Sequence, residues 1–553
     1  MRRTTARVLV PAVLLASLLA ACSTAGTDSS ETIAADTGVV STTEVNDSTA
    51  AIDGSVTEVL AANTAWHTAE ESWDTGAETS VTLSGTSASV DGAGATADGS
   101  TVTVTAAGTY RLSGTLTDGS IVVDSSADGT VRLVLDGADV SSSTTSPLQV
   151  TDADDVIVVL AEGSTNHLSD ATTYTYPDTE TDEPNAALYS TADLTITGTG
   201  SLEVEGNAND GITSKDGLVI ESGTITVTAV DDGIRGKDDL VVLGGTIDVT
   251  AGGDALKSDN DEDAALGYIY LEDGSVTLTA GDDGVNAKTD VLVAGGALTV
   301  SAQDDGLKGD AVVVIGGGTV AVTQATEGLE AEHIIVAGGA TSLTTSDDGV
   351  NASSSADTTQ MGGGADSNLL VTISGGTLTI DAAGDGLDSN GSMTMTGGTV
   401  VVAGPTQDDN GSIDVNGTFE ISGGEIIAVG ASGMAETPSA GSAQSFVALT
   451  LDSTQQAGTV VHVVDADGTV LASFTASKTF SSVVYSSPEV AASATYTAMA
   501  GGTTGSDDLA GLSHDGSVSG ATTAATGTAG EENAGMGGGM GGGQGGGPGR
   551  GRR

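Results

Sequence analysis

A repeat of about 22 residues is the feature that most constrains the fold of this 553-residue chain, because self-similarity at such a period is typical of stacked architectures. From position 210 to position 409 an acidic residue, usually followed by Gly or Ala, recurs with successive differences in number of 22, 22, 29, 22, 22, 21, 37 and 24. These ladder acids are Asp210, Asp232, Asp254, Asp283, Asp305, Glu327, Asp348, Asp385 and Asp409. The two longest gaps contain insertions, at 258–266 and 352–368. A single unit of this length cannot bury its own apolar face, so the units must stack.

Within each repeat, short β-branched segments alternate with glycine pairs. After Asp232 the order is Asp-Asp-Leu-Val-Val (238–242), a Gly-Gly corner, and Thr-Ile-Asp-Val-Thr (246–250). No segment shows apolar spacing of 3.6 residues with helix caps. Three strands and three turns in each repeat predict an all-β fold, a right-handed parallel β-helix in which each coil rises by about 4.8 Å.

The flanking regions predict further β-structure. We assign the β-helix to 58–430, with regular coils over 209–430 and less regular N-terminal coils over 80–208 that include a loop at 170–185. Residues 444–500 alternate around Asp467-Gly468, which predicts a small antiparallel cap that covers the last coil and blocks its open edge. Trp66 and Trp73 precede the coils and are expected to cap the β-helix rather than to bind a ligand. The Gly-rich segment 501–553 is expected to be a disordered tail.

The N-terminus predicts the location of the protein. Residues 1–21 combine Arg2, Arg3 and Arg7 with a 14-residue apolar stretch, a pattern typical of a signal peptide rather than a membrane span. The stretch ends in Leu-Ala-Ala-Cys, which resembles a lipoprotein cleavage motif. We expect Cys22, the only cysteine, to carry a lipid that anchors the protein to the extracellular face of the cell membrane through a flexible tether at 22–57.

The charge of the chain limits its partners. Without the three arginines of the signal peptide, 12 basic residues face 76 acidic ones, a balance of −64. Nucleic acid binding requires a basic surface, and this composition excludes one. So acidic a chain repels itself unless cations screen it, and extracellular Ca²⁺ prefers oxygen ligands. We therefore expect this protein to bind calcium. We also expect it to be a monomer.

Acidic residues at the repeated turn are the first candidate ligands. Carboxylates from neighbouring coils should lie about one strand spacing apart, and a divalent cation between them would relieve their repulsion. The alternative is that Asp-Gly serves turn geometry alone. An oxygen-rich loop near residue 260, which lacks EF-hand spacing, is a second candidate. The proposed metal ligands are Asp210, Asp231, Asp232, Asp254, Asp282, Asp283, Asp304, Asp305, Glu327, Asp347, Asp348 and Asp385 at the turn, and Asp259, Asp261 and Asp263 in the loop.

Basic residues are few and follow the acids closely. Outside the signal peptide and the tail there are nine, and six of these lie three to five residues after a ladder acid, which predicts one shared edge. They could pair with neighbouring aspartates, or they could bind uronate carboxylates while Ca²⁺ bridges sugar and protein. The proposed carbohydrate-binding residues are Lys215, Arg235, Lys237, Lys257, Lys288 and Lys308.

Several longer motifs carry a family resemblance over residues 80–500. They are Gly-Thr-Tyr-Arg-Leu-Ser-Gly (108–114), Leu-Val-Leu-Asp-Gly (133–137), Asn-Asp-Gly-Ile-Thr-Ser-Lys-Asp (209–216), Asp-Asp-Gly-Ile-Arg-Gly-Lys-Asp (231–238), the segment 254–262 and, in the cap, 486–496. The chain resembles a bacterial carbohydrate-binding β-helix family similar in shape to pectate lyases. The resemblance implies binding of cellulose and acidic sugars with calcium. Ala255 and Glu327 depart from the family's usual Gly and Asp.

The function expected from these observations is binding without catalysis. A calcium-dependent lyase needs an unpaired basic residue to abstract a proton, a role that Arg235 or Lys237 could fill. None of the five histidines lies in the Gly-His-Gly element of β-helical polygalacturonases. The charged residues also repeat, which suits a repeating polymer such as polygalacturonate. A pectate-lyase-like enzyme and a structural or adhesive surface protein remain the alternatives.

Overall fold

The computed structural model describes residues 55–68, 72–176, 182–354, 365–506 and 509–532. The predicted signal peptide, the predicted lipidation site Cys22, the predicted tether up to residue 54 and the tail from residue 533 lie outside these ranges. The last three residues of the predicted tether, 55–57, instead begin a helix. Within them, no helix is long and apolar enough to cross a membrane.

Residues 79–430 form a parallel β-helix whose strands fall into three stacks. The chain visits the third stack, then the first, then the second in each coil. The first stack contains Gly108–Leu116, Thr130–Ser141, Asp155–Leu160, Leu194–Gly198, Gly217–Ile220, Asp239–Val242, Tyr268–Leu271, Asp290–Val293, Val312–Ile315, His333–Val336, Leu370–Ile373, Ser392–Met395 and Phe419–Ile421.

The other two stacks are also parallel within themselves, except that the third begins with Ala95–Asp98, which pairs antiparallel with Thr101–Val104. The second contains Thr165–Ser169, Ser201–Gly206, Thr224–Ala229, Thr246–Ala251, Ser275–Ala280, Ala297–Ser301, Thr319–Ala325, Ala340–Thr345, Thr377–Ala382, Thr399–Ala403 and Glu425–Gly430. The third contains Ala95–Asp98, Thr101–Val104, Ser120–Asp124, Leu148–Asp152, Ala186–Ser190, Asp210–Ser214, Ile234–Gly236, Leu256–Ser258, Val285–Ala287, Leu307–Gly309, Leu329–Ala331, Val350–Ala352, Leu387–Ser389 and Asp414–Val415.

The strand register confirms the predicted repeat. Thr224 pairs with Thr246, and Ala297 pairs with Thr319, in each case one repeat further along the chain. The two predicted insertions leave the register intact, because Thr246 pairs with Ser275 across the first of them. Alternate residues of each strand face the interior, where a ladder of Val, Ile and Leu side chains forms the core. The predicted parallel β-helix is therefore confirmed.

The N-terminal segment departs from the prediction that no helix is present. Val56–Ala62 is an α-helix whose capping box joins Ser55 and Glu58. At seven residues it is too short to show a clear 3.6-residue period. A 3₁₀ turn follows at Thr75–Ala77.

The two tryptophans cover the side of the β-helix rather than its end. Trp66 stacks on Tyr270 at 5.5 Å between ring centroids, and the Trp73 ring lies 5.2 Å from the Arg132 guanidinium. The expectation that they cap an end is wrong, because outward positions of the first stack are apolar and need cover. Those positions include Val134, Ile157, Val219, Val241, Leu292 and Val314.

Antiparallel strands close both ends. At the N-terminal end Thr79–Gly85 pairs with Ser87–Asp91. The C-terminal cap comprises Phe446–Gln455, Val460–Val464, Val470–Thr475, Phe480–Ser486, Thr495–Ala500, Leu512–Ser513 and Thr522–Thr528. Phe480–Ser486 lies antiparallel to Glu425–Gly430 and covers the last edge, as predicted. The cap continues past residue 500. The tail predicted from 501 is therefore wrong as far as 528, because Thr522–Thr528 pairs antiparallel with Thr495–Ala500 and completes a sheet.

Candidate functional site

The ladder acids form one column at the start of the third-stack strands. At five of the ladder acids a carboxylate oxygen accepts the backbone N–H of the next acid along the axis. The distances are 3.3 Å from Asp210 to Asp232, 3.0 Å from Asp232 to Asp254, 3.0 Å from Asp254 to Asp283, 2.9 Å from Asp283 to Asp305 and 2.6 Å from Asp348 to Asp385. The structure thus places the predicted corners in line and gives most of them a structural bond to the next coil. The series is interrupted at Asp305, whose carboxylate pairs with Lys308, and at Glu327, which accepts a hydrogen bond from Asn351.

Asp409 is the exception to the column. The carboxylate of Asp385 instead accepts from the Gly411 N–H at 2.5 Å. The last coil contains a longer connection, so Gly411 takes the ladder position and Asp409 falls two residues before it. The assignment of Asp409 from spacing alone is wrong.

Burial raises the pKa values of several carboxyl groups in the column. Burial, followed by repulsion from Asp232, raises the pKa of Asp210 to about 7. Burial also raises the pKa of Asp283 to about 7, although the Asp305 N–H opposes this and Asp254 adds repulsion. Burial likewise raises the pKa of Asp385 to about 7, opposed by the Gly411 N–H and reinforced by repulsion from Asp348. Negative charge is therefore costly along this column unless a cation compensates it.

In most Asp-Asp pairs of the turn, one aspartate is buried and the other is exposed. The second aspartates Asp232, Asp283 and Asp305 are buried, and the carboxylates of Asp232 and Asp283 make axial bonds, whereas the first members face solvent. The exposed residues are Asp231, Asp282, Asp304 and Asp347. Turn chemistry accounts for the buried members but leaves the exposed carboxylates without a structural role.

Asp282, Asp283 and Asp304 form a carboxylate triad. One oxygen from each lies within 4.8 Å of the others. Within the described part of the chain, the Asp282 and Asp304 carboxylates make no hydrogen bond or ion pair. Hard oxygen donors at this separation match the preference of Ca²⁺, which binds oxygen at about 2.3–2.6 Å. The donor set therefore fits calcium.

A second acidic group is already paired with a lysine of the protein. Oxygens of Asp305, Glu327 and Glu330 also lie within 4.8 Å of one another. The Lys308 ammonium lies 2.6 Å from Asp305 and 2.6 Å from Glu330, so it neutralises this group internally. Sequence reasoning missed Glu330, although it follows Glu327 by three residues, the offset at which Lys308 follows Asp305.

The other proposed metal ligands do not converge in the same way. Among the described residues, only the two groups above bring three carboxylates within 4.8 Å, and neither includes Asp259, Asp261 or Asp263. The carboxylates of the oxygen-rich loop turn to separate partners. Asp259 binds the Arg235 guanidinium at 2.5 Å, and Asp263 accepts a hydrogen bond from the Ala265 N–H. The turn candidates outside these groups are Asp210, Asp231, Asp232, Asp254, Asp347, Asp348 and Asp385.

Most of the proposed carbohydrate-binding residues are paired with the protein itself. Lys257 binds Asp232 at 3.0 Å and Asp254 at 2.9 Å. Lys215 binds Glu183, and Lys288 binds Asp310. With Arg235 and Lys308, five of the six proposed basic residues are therefore neutralised internally.

Lys237 differs from the other five. Its ammonium makes no hydrogen bond or ion pair within the ranges that the structure describes, and its side chain is half-buried. The six residues occupy two neighbouring columns of the outward face, at three and five residues beyond the ladder acid. Arg235 stands beside Lys257 in the first column, and Asn286 stands beside Lys308. The six basic residues therefore lie on one face of the β-helix, as two adjacent columns rather than the single edge that was predicted.

A cleft of about 700 Å³ lies where the cap meets the last coils. Within it, Glu425 accepts a hydrogen bond from the Tyr485 hydroxyl at 2.9 Å, and His514 Nε2 lies 2.9 Å from the same carboxylate. Sequence reasoning gave no signal for this group, because its members are distant in the chain. The Tyr485 hydroxyl and the His514 ring both contact the Glu425 carboxylate. The polar atoms of this group therefore have partners within the protein, and the group does not require a ligand.

Comparison with known proteins identifies a carbohydrate-binding family over part of this chain. Residues 98–349 match the model of a family described as carbohydrate-binding domain-containing protein. A protein of that name from Acetivibrio thermocellus is 41% identical over 128 residues, 23% of this chain and 45% of that relative. The chain thus spans less than half of the curated relative's length. The predicted resemblance to a carbohydrate-binding family is confirmed for this segment.

One solved structure is also similar. It is described as the polysaccharide lyase-like protein from C. thermocellum in a gadolinium derivative. The match has 33% identity, covers 43% of this chain and 96% of the other, and has a TM-score of 0.42.

Proposed function

Because residues 98–349 match a carbohydrate-binding family, we propose that this protein binds an acidic polysaccharide along the outward face of the third stack. The observation that carries the proposal is the column of turns, which repeats once per coil and exposes one aspartate at several of them. A binding surface with the period of the fold suits a ligand with a repeat of its own. Several weak contacts along one polymer would together give useful affinity.

An acidic surface can bind an acidic polymer only if cations lie between them. The triad of Asp282, Asp283 and Asp304 is the group that supports this best, since its oxygens converge and no basic side chain among the described residues forms an ion pair with it. Bound there, Ca²⁺ would supply the positive charge that a uronate carboxylate needs. The buried Asp283 is held in place by its bond to the Asp305 N–H, so the group is preorganised.

Lys237 offers a second, direct contact for the polymer. Its ammonium is not committed to a carboxylate of the described chain, whereas the other five basic residues of this face are. An ammonium that is free to pair can bind a uronate carboxylate without first breaking an internal ion pair. We assign Lys237 this role.

We further propose that binding is not followed by catalysis. A lyase base must be free to accept a proton, and the Arg235 guanidinium is held by Asp259. Only Lys237 of the two candidates considered could serve. Incubation with polygalacturonate, followed by the ultraviolet absorbance of unsaturated product, should show none in the presence of Ca²⁺. Formation of that product would establish the lyase alternative.

We also propose that the protein acts at the outer surface of the membrane as a monomer anchored through Cys22. Labelling of the intact cell with a fatty-acid analogue should mark the wild-type protein and not Cys22→Ser. Label on both proteins, or on neither, would contradict the anchor. Cell attachment without retention on polysaccharide would instead favour the adhesive alternative.

Retention on immobilised polygalacturonate tests the binding proposal. Wild-type protein should be retained in Ca²⁺ and released by a chelator. The double variant Asp282→Asn/Asp304→Asn should be retained weakly in both conditions. Asp248→Asn, which removes an exposed carboxylate from the second stack, is the matched control and should behave as wild type.

Two results would contradict parts of the proposal. Retention that ignores the chelator would remove calcium from the mechanism while leaving binding intact. Absence of retention in every condition, with folding verified by circular dichroism, would remove the acidic polysaccharide itself.

A further inference from the structure

The last coils of the third stack carry acidic side chains that form no ion pair with a basic residue of the described chain. They lie at the turns and outward positions around Val350–Ala352, Leu387–Ser389 and Asp414–Val415, and all are half-buried. From residue 309 to residue 477 the sequence contains no lysine or arginine. The members of this acidic end face are Asp348, Asp385, Asp388, Asp414 and Glu436.

The outward column of the third stack shows how the charge becomes unbalanced. In an earlier coil Lys308 follows the ladder acid Asp305 by three residues and binds it at 2.6 Å. The residue at the same offset from Asp385 is Asp388, so an acid replaces the lysine. Asp388 in turn pairs in register with Asp414 of the last strand. Successive coils therefore bring like charges together.

The acidic end face also lacks a hydrogen-bond donor. Burial, followed by repulsion from Asp348 and Asp414, raises the pKa of Asp388 to about 8. Asn351 lies beside Asp388 in the outward column and is only 8% exposed. Its Nδ2 donates to Glu327 at 2.8 Å, whereas its Oδ1 has no partner among the described residues. A positively charged group with several N–H donors would satisfy both needs.

The carboxylates of this face are too far apart to enclose one small ion. Among the described residues, no three of them bring oxygens within 4.8 Å of one another. A guanidinium is planar, carries five N–H donors and can pair with two carboxylate oxygens at once. The face therefore suits several arginines better than a single divalent cation.

The missing positive charge occurs in residues 533–553, which lie outside the described ranges and are here called the arginine segment. This segment is mostly glycine and contains no acidic residue. Lys478, the one other lysine or arginine after residue 308, is already paired with Asp381 at 2.8 Å. The basic residues of the arginine segment are Arg550, Arg552 and Arg553.

The described chain leads into the arginine segment close to the acidic end face. Glu532 Oε1 accepts the Ala440 N–H at 2.6 Å, and Glu436, four residues before Ala440, accepts the Val415 N–H at 2.9 Å. Four residues span at most about 14 Å. Arg550 follows Glu532 by 18 residues, and a Gly-rich chain of that length has a root-mean-square span of about 20–25 Å. The arginines can therefore reach the face.

We infer that the arginine segment binds the acidic end face of its own chain. Tethering holds the arginines there at an effective concentration of about 1 mM or more, so individually weak ion pairs suffice. The bound segment would neutralise the last coils, which no described lysine or arginine reaches. The inference does not depend on the proposed polysaccharide function, because the triad of Asp282, Asp283 and Asp304 belongs to earlier coils.

Zero-length cross-linking of the full-length protein tests the inference. The variant Arg550→Lys/Arg552→Lys/Arg553→Lys keeps the positive charges, and a carbodiimide joins an ammonium only to a carboxylate that it contacts. Mass spectrometry of the cross-linked monomer should find these lysines joined mainly to the acidic end face. An excess of a peptide with the natural sequence 533–553 should compete and lower the yield several-fold. The same peptide with glutamine at its three arginines should not.

Substitutions on the face provide the second arm of the test. Asp385→Asn/Asp388→Asn/Asp414→Asn, added to the lysine variant, should lower the total yield of cross-links from the arginine segment several-fold. Asp91→Asn/Asp98→Asn/Asp124→Asn is the matched control, because it changes the charge equally at exposed positions of the first coils, and it should leave the yield unchanged. Circular dichroism should show both proteins folded.

Three results would overturn the inference. The first is a monomer without cross-links from the arginine segment. The second is an equal loss of yield in the face variant and the control variant. The third is a set of cross-links spread evenly over acidic residues of the first and last coils. Raising the NaCl concentration from about 0.1 M to about 1 M shortens the screening length from about 10 Å to about 3 Å and should lower the yield several-fold. A yield that ignores salt would also contradict binding through ion pairs.

Discussion

Replacement of Lys308 by methionine should convert an internally neutralised group into a calcium site. The Lys308 ammonium bridges Asp305 and Glu330 at 2.6 Å each, in a group that also contains Glu327. Methionine keeps most of the apolar stem and removes the charge. The three carboxylates left behind would resemble the triad of Asp282, Asp283 and Asp304.

The size of the effect follows from the exposure of the partners. The side chains of Asp305, Glu330 and Lys308 are 5%, 22% and 31% exposed. Removing one partner of a fully buried ion pair costs about 3–5 kcal/mol, and partial exposure lowers this to about 2–3 kcal/mol. Calcium at 100 times its dissociation constant would return about 2.7 kcal/mol to the folded state.

Urea titration followed by circular dichroism measures both changes. In a chelator, Lys308→Met should unfold at lower urea than wild type, and added Ca²⁺ should restore most of the difference. Lys478→Met, which breaks the 2.8 Å pair with Asp381 on the second stack, is the matched control and should gain nothing comparable from Ca²⁺. An equal response to Ca²⁺ in the two variants would refute the reasoning.

Three further predictions concern pH, Lys237 and the cap. Burial raises the pKa of Asp283 and of Asp385 to about 7, so between about pH 4 and 7 the folded state holds protons that the unfolded state has lost. In a chelator the melting temperature should therefore fall from pH 5 to pH 8, and a rise would contradict the assignment. Lys237→Ala should weaken polygalacturonate binding about two- to five-fold by calorimetry, as expected for one exposed ion pair. The paired Lys288→Ala should leave that binding unchanged, and equal losses in the two variants would contradict the role of Lys237. Truncation after residue 431 removes the strand that covers Glu425–Gly430 and should cause self-association in size-exclusion chromatography. A monomeric truncated protein would show that the cap does not protect this edge.

The fold could be predicted because the 22-residue spacing of strands and turns is visible in the sequence. Strands one repeat apart share both their β-branched residues and their corners, so the register follows from the spacing. Asp409 shows the limit, because a connection of different length in the last coil moves the ladder position to Gly411. The helix Val56–Ala62 escaped prediction because its stability comes from tertiary packing on the first stack, not from its own short sequence.

The candidate site could be predicted only in part. The spacing placed the acids in one column but could not show which carboxylates are already neutralised. That depends on side-chain directions, such as the reach of Lys308 to Glu330 in the next coil. Pairing between distant segments, such as His67 with Asp193, left no periodic signal at all.

The central claim is that a cation joins acidic polymer to acidic protein, and thermodynamic linkage tests it most directly. If the ion bridges the two, calcium must raise the affinity for oligogalacturonate by the same factor by which oligogalacturonate raises the affinity for calcium. Calorimetry of each ligand in the presence and absence of the other measures both factors. We predict equal factors well above one in the wild type and close to one in Asp282→Asn/Asp304→Asn. Affinities that are independent of each other in the wild type would contradict the claim.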